Sequence, residues 1–134
     1  MGVLGMLSRF IGIPFRVGGE DFEGCDCWGL VKLYFKQVLD IDIPDYRVDE
    51  SLIKEEISDK LIEKLKDNSP WEMIDKPEPN CVVLLALGRD YINHAGVYVG
   101  RGQMLHAYST SNSCIVNIDS PTWQYMVKGY VRLK

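Results

Sequence analysis

The feature that most limits the fold is a change of texture at residue 81. Upstream of it, apolar residues recur at helical spacing; downstream they come in short continuous or alternating runs. Residues 27–39 (CWGLVKLYFKQVL) predict a helix with Leu30, Val31, Tyr34 and Val38 on one face. Asp26, immediately before it, is a natural N-cap, because a carboxylate there accepts from first-turn amides that have no intrahelical acceptor. Leu4 to Phe10 reads as a short helix stopped before Pro14. Ser51 to Lys66 predicts a second amphipathic helix, its stripe marked by Leu52, Ile57, Leu61 and Leu65. Residues 40–50, around Pro44, read as a loop, and residues 68–80, with Pro70, Pro77 and Pro79, as irregular.

The second half reads as sheet. Residues 81–87 (CVVLLAL) predict a buried strand, and residues 93–100 and 103–108 a hairpin about a three-residue loop, Gly100-Arg101-Gly102. Residues 114–118 and 129–133 are the fourth and fifth strands. Helices first and an antiparallel sheet second is the α+β order, not the alternation of a parallel α/β fold. With 134 residues, 46% of them hydrophobic, the chain can bury one sizeable core. A single domain over 1–134 is expected, its helical part about 1–66 and its sheet part about 81–134.

Charge and cysteine usage narrow the function classes. The formal net charge is −4 and no Lys/Arg cluster occurs, so nucleic acid is not an expected partner. The four cysteines, Cys25, Cys27, Cys81 and Cys114, form neither a dense disulfide framework nor a C-x-x-C pair. The N-terminus is apolar but lacks a basic start, a full h-region and a cleavage site; Met6 stands where a myristoylation signal needs Ser or Thr. No run is long enough to span a bilayer. Synthesis in the cytoplasm without a signal peptide, and no membrane insertion, are the expectations.

Three residues carry chemistry together. Cys27 opens the first helix, where unpartnered amides and the helix dipole stabilise a thiolate. Gly18, Gly19 and Gly24 precede it and let a substrate backbone come close. His94 and His106 are the only histidines. If residues 100–102 form a three-residue loop, Val99 pairs with Gln103, Gly96 lies opposite His106 and His94 opposite Tyr108. Both histidines then share one face, roughly 7 Å apart as diagonal neighbours; a two-residue loop would put them on opposite faces. His94 can take the Cys27 proton, His106 can fix the tautomer of His94, and the Cys27 amide can help hold an oxyanion.

Blander readings exist for each residue. A free cysteine or lone histidine more often packs in a core, but a helix-start cysteine with two histidines on one face favours chemistry. Asp26 is first a helix cap, and its charge opposes thiolate formation. Cys25, Cys27, His94 and His106 are ligand types of a Cys₂His₂ zinc site. A C-x-C pair at a helix start suits tetrahedral ligation poorly, so neither metal nor cofactor is expected.

The stretch IGIPFRVGGEDFEGCDCWGLVKLYF resembles the first half of the NlpC/P60 signature: a short helix, a Pro-Tyr-x-x-Gly-Gly-like loop, then Asp-Cys-x-Gly-Leu opening a helix. NHAGVYVGRGQMLHA resembles its second half, in the family's order. The resemblance implies a papain-like α+β fold with Cys27 as nucleophile, His94 as base and His106 as third polar residue. It also implies peptidoglycan stem peptides as substrate, typically cut after γ-linked D-glutamate. Phe15 replaces the loop tyrosine and Trp28 the usual serine after the nucleophile; Phe15, Asp26 and Trp28 are the expected substrate-contacting residues. The Asp-Cys-Trp-Gly-Leu form resembles the versions of tailed-phage tail tips, which implies a virion location and phage tail proteins as partners. The alternatives are a structural tail-assembly protein with little activity, and a papain-like acyltransferase or deamidase.

Overall fold

The computed structural model of the chain describes residues 7–43, 70–88, 90, 92–109 and 111–134. A 3₁₀ turn (Ser8–Phe10) leads to a two-stranded ribbon of β1 (Glu20–Asp21) and β2 (Gly24–Cys25), then to helix α1 (Cys27–Leu39). The sheet follows as β3 (Trp71–Ile74), β4 (Val82–Leu85), β5 (His94–Gly100), β6 (Gln103–Tyr108) and β7 (Ser111–Asn117). A short helix α2 (Pro121–Met126) and β8 (Val127–Leu133) complete it. The six strands of the main sheet run β3-β8-β4-β5-β6-β7, every neighbour antiparallel. Among the described residues, a helix ahead of an antiparallel sheet is the α+β arrangement expected.

Helix α1 begins and ends where the sequence places it. Asp26 accepts from the Gly29 amide at 2.7 Å, and Asp40 closes the helix in the left-handed conformation, φ 56°. The buried face is wider than the expected stripe: Trp28, Leu33 and Phe35 are buried with Leu30, Val31 and Tyr34. These side chains pack, with Phe10 and Trp71, against Val82, Leu84, Ala95, Val97, Leu105 and Ala107. The intervening residues Val83, Leu85 and Met104 enter a second cluster with Ile118, bordered by Trp123 and Tyr130. Strand β4 is therefore apolar on both faces, which is why its sequence runs without alternation.

The hairpin corrects one expectation. Gly100 pairs with Gln103, so the loop has two residues, Arg101 and Gly102, not three. Both have positive φ, 54° and 76°, as a tight hairpin turn of this length favours. Val99 is bulged between the pairs Tyr98↔Met104 and Gly100↔Gln103. The bulge restores the parity that the shorter loop would have shifted, and Val97 still pairs with Leu105.

Four elements are not anticipated by the sequence reading. Strand β3 lies within the proline-rich segment, the β1–β2 ribbon within the glycine-rich loop, and α2 ahead of the last strand. The expected helix Ser51 to Lys66 lies outside the described residues, and the expected Leu4–Phe10 helix is described only in its last residues. Strand β7 would leave a sheet edge, but residues 10–13 cover part of it. Gly12 donates to the Ser113 carbonyl at 2.8 Å and the Ser113 amide to the Ile13 carbonyl at 2.9 Å. The buried Ser113 hydroxyl accepts from the Ile13 amide at 2.8 Å and donates to the Phe10 carbonyl. The edge is thereby blocked at Ser113, and the loop that follows, carrying Phe15, is anchored.

Candidate active site

The loop before α1 is laced to the helix start by backbone and carboxylate. Cys25 donates to the Pro14 carbonyl at 3.0 Å, Arg16 to the Cys25 carbonyl at 3.1 Å, and Asp26 to the Gly19 carbonyl at 3.2 Å. The second Asp26 oxygen accepts from Gly18 at 2.8 Å. Asp26 has the capping position expected of it, and its two oxygens hold the helix end and the loop together. Cys27 follows it as the first residue of α1, half-buried.

Trp28 lies in the core. It is 4% exposed and stands edge-on to Trp71 at 6.3 Å between ring centroids. A ring with so little accessible surface supports α1 from the core and offers no face to a ligand. Phe15 is half-buried, bridged through its backbone to Cys25 and packed against the same core. Its position is on the loop that leads to Cys27.

His94 opens β5 and His106 lies in β6, and the structure brings their rings together. His94 Nε2 and His106 Nδ1 are 2.8 Å apart, with the rings nearly perpendicular and their centroids at 5.1 Å. Tyr108 stands edge-on to His94 at 5.5 Å, and Trp123 of α2 edge-on to His106 at 5.0 Å. Both histidines are buried, at 5% and 3% exposure. Their two nitrogens share one hydrogen bond, so these nitrogens do not converge on a third point as metal ligands do. Beyond His106, its Nε2 lies 3.6 Å from Cys114 Sγ; Cys114 is the cross-strand partner of His106. A cavity of about 410 Å³ opens beside this end of the pair, lined by His106, Tyr108, Cys114, Val116, Trp123 and Met126. A larger depression, about 870 Å³, is lined by Ala86, Asp90, Tyr125 and Lys128 and touches none of the expected site residues.

Sequence reasoning missed Cys114 and Trp123. Ser120-Pro121 was a legible helix start for α2, with proline at the first helical position. Cys114 becomes visible only in the β6–β7 register: β7 begins at Ser111, paired with Tyr108, and a one-residue shift between Tyr108 and His106 places Cys114, rather than Ser113, opposite His106.

Burial decides the charge states. Desolvation lowers the imidazolium pKa of both histidines; for His94 repulsion from His106 adds to it. Burial also pushes the Cys25 thiol up to about 12 and the Cys81 thiol up to about 11, which leaves both inert. The histidine shifts predict a pH dependence of stability. Folded values below the unfolded value of about 6.5 mean that the unfolded chain binds protons first as pH falls. Stability is therefore full above about pH 6.5 and declines below it, by up to about 1.4 kcal/mol per pH unit for each histidine. Urea midpoints at pH 7, 6 and 5 should fall accordingly, and the slope should flatten in His106→Gln. Equal slopes in the two proteins would refute the assignment.

The NlpC/P60 family model matches residues 12–133. The chain is 32% identical over 106 residues to "Tail tip assembly protein K" of Escherichia phage N15, covering 78% of this chain and 40% of that protein. It is 29% identical over 120 residues to "Murein DD-endopeptidase MepH" of Escherichia coli (strain K12), covering 88% of this chain and 40% of that protein. It therefore spans about two fifths of these relatives' length. The crystal structure of the NlpC/p60 domain of the peptidoglycan hydrolase SagA superposes with TM-score 0.64 at 17% identity, covering 97% of this chain and 95% of that one. Among the described residues, no helix is long and apolar enough to cross a membrane.

Proposed function

The chain belongs to the NlpC/P60 family, and from that premise we propose that it is a cysteine endopeptidase that cuts the stem peptides of peptidoglycan as part of a phage tail tip. The observation that carries this reading is the buried hydrogen bond between the chain's only two histidines, on strands against which the Cys27 helix packs. With Nε2 of His94 engaged by His106, Nδ1 is the nitrogen left to exchange a proton with Cys27. Burial keeps that ring neutral near pH 7, so its lone pair is available.

In the proposed cycle the Cys27 thiol gives its proton to His94 Nδ1 and the sulfur attacks the amide carbonyl carbon. The oxyanion formed is held by the Cys27 amide at the helix start. His94 returns the proton to the leaving nitrogen, the C–N bond breaks, and a thioester remains. Water then loses a proton to His94, attacks the thioester and releases the acid, restoring the thiol. Throughout, His106 holds the orientation of His94.

The phage tail relative supports the tail-tip part of the reading, with other tail proteins as partners. The murein endopeptidase relative supports the substrate class. Purified peptidoglycan, digested with wild type or Cys27→Ala and read by mass spectrometry, tests the proposal. Stem-peptide cleavage that vanishes in the variant is expected. A wild-type protein that is reduced and folded yet cuts nothing would overturn it in favour of a structural tail role.

A further inference from the structure

The histidine pair is a directional device only if something fixes its direction. A hydrogen bond between two imidazoles can run either way. For His94 Nδ1 to accept from Cys27, the His94 proton must sit on Nε2 and be donated to His106 Nδ1. His106 then carries its own proton on Nε2. Among the described residues, the hydrogen-bond partner of that nitrogen is Cys114 Sγ, at 3.6 Å. Resting on the function proposed above, we propose that Cys114 is a positioning residue that accepts from His106 Nε2 and so sets the tautomers of both histidines for proton uptake from Cys27.

The fold holds the contact in place. Cys114 is the direct cross-strand partner of His106, so the β6–β7 register, not a flexible side chain, delivers the sulfur. Ser113, its neighbour, is locked by hydrogen bonds to Ile13 and Phe10, which steadies that stretch of β7. Trp123 packs edge-on to the His106 ring and limits its rotation. If Cys114 instead donated its proton into Nε2, the chain would reverse. His106 would donate from Nδ1 to His94 Nε2, and His94 Nδ1 would carry a proton and be no base.

Two histidines make the test direct. Long-range ¹⁵N–¹H correlation spectra of wild type, Cys114→Ala and Cys114→Ser, with His106→Gln for assignment, read each tautomer without reference to activity. Wild type should show both rings protonated at Nε2. Cys114→Ala should move His106 toward the Nδ1–H form, and Cys114→Ser, which keeps an acceptor, should restore it. On peptidoglycan, Cys114→Ala should lower kcat about five-fold, the worth of one such hydrogen bond, with KM unchanged and serine rescuing. His106 protonated at Nδ1 in wild type, or an unchanged His106 tautomer in Cys114→Ala, would overturn the proposal. So would a fall in kcat without a tautomer change, which means a packing role. Were wild type to cut nothing, the function reading would fail while the spectra still decided the role of Cys114.

Discussion

Cys27→Ala and His94→Gln each lower peptidoglycan turnover by about 10⁴-fold or more, and the double variant is no slower than the slower single. The expectation follows from a shared step. If the sulfur attacks only after His94 has taken its proton, either loss removes the whole nucleophilic pathway, and the second loss has nothing left to remove. His94→Gln gives up the bond to His106, but neither change touches what ties the start of α1 to its loop. The Asp26 cap bonds to Gly29 and Gly18 through its carboxylate, and His106 keeps its contacts with Cys114 and Trp123. Both variants should therefore fold, and circular dichroism alongside the kinetics checks it. His106→Gln should cost less than His94→Gln, since His106 orients the base without meeting the substrate. Independent, multiplicative losses in the double variant would mean that Cys27 and His94 do not act as a unit, and would sink the proposed mechanism.

What was legible in the sequence is what local chemistry dictates. Helix α1 was readable at both ends because Asp26 is a side-chain cap and because apolar periodicity runs out at Leu39. Strand β4 was readable because a strand covered on both faces, by Leu30 and Trp71 on one side and Met104 and Ile118 on the other, must be continuously apolar. The shared face of His94 and His106 was inferred correctly from an incorrect loop. A two-residue turn and a bulge at Val99 give the same parity as a three-residue loop, and sequence spacing does not separate the two. Strand β3 was illegible because four residues between prolines carry no period. Its place is set by pairing with β8, Trp71 opposite Leu133, some sixty residues away. The burial of Trp28 is hidden from the sequence for a related reason. Its neighbour in sequence is Cys27, but its neighbour in space is Trp71. The Asp-Cys-x-Gly-Leu motif, by contrast, has a steric reason that the structure supplies.

Gly29→Ala should lower the melting temperature by about 10 °C and remove most activity from whatever protein still folds. In an ordinary helix the same change stabilises by about 1 kcal/mol, because alanine orders more readily than glycine. Here the sign reverses. A Cβ on Gly29 would stand 1.8 Å from the Gly19 carbonyl oxygen and 2.9 Å from Asp26 Oδ1, separations that no packing tolerates. The obstacle is backbone, and it has no room to retreat. The Gly19 carbonyl accepts from the Asp26 amide, and the Gly19 amide donates to Arg16. A Cβ on Gly19 would itself meet the Gly24 carbonyl oxygen at 2.4 Å, so loop, ribbon and helix are closed on one another. Relief requires the helix start to lift from the loop, which breaks the Asp26 bonds to Gly29 and Gly18 together. Overpacking of this kind costs about 3 kcal/mol, and about 3–4 °C per kcal/mol at this chain length gives the stated drop. The displacement falls on Cys27, two residues before Gly29, so the surviving folded fraction holds its thiol out of register with His94. Gln37→Ala, on the exposed side of the same helix, is the control and should change neither property. A Gly29→Ala protein melting within 2 °C of wild type would show that the loop yields, and that the close approach of Gly19 to Gly29 is not what sets the position of Cys27.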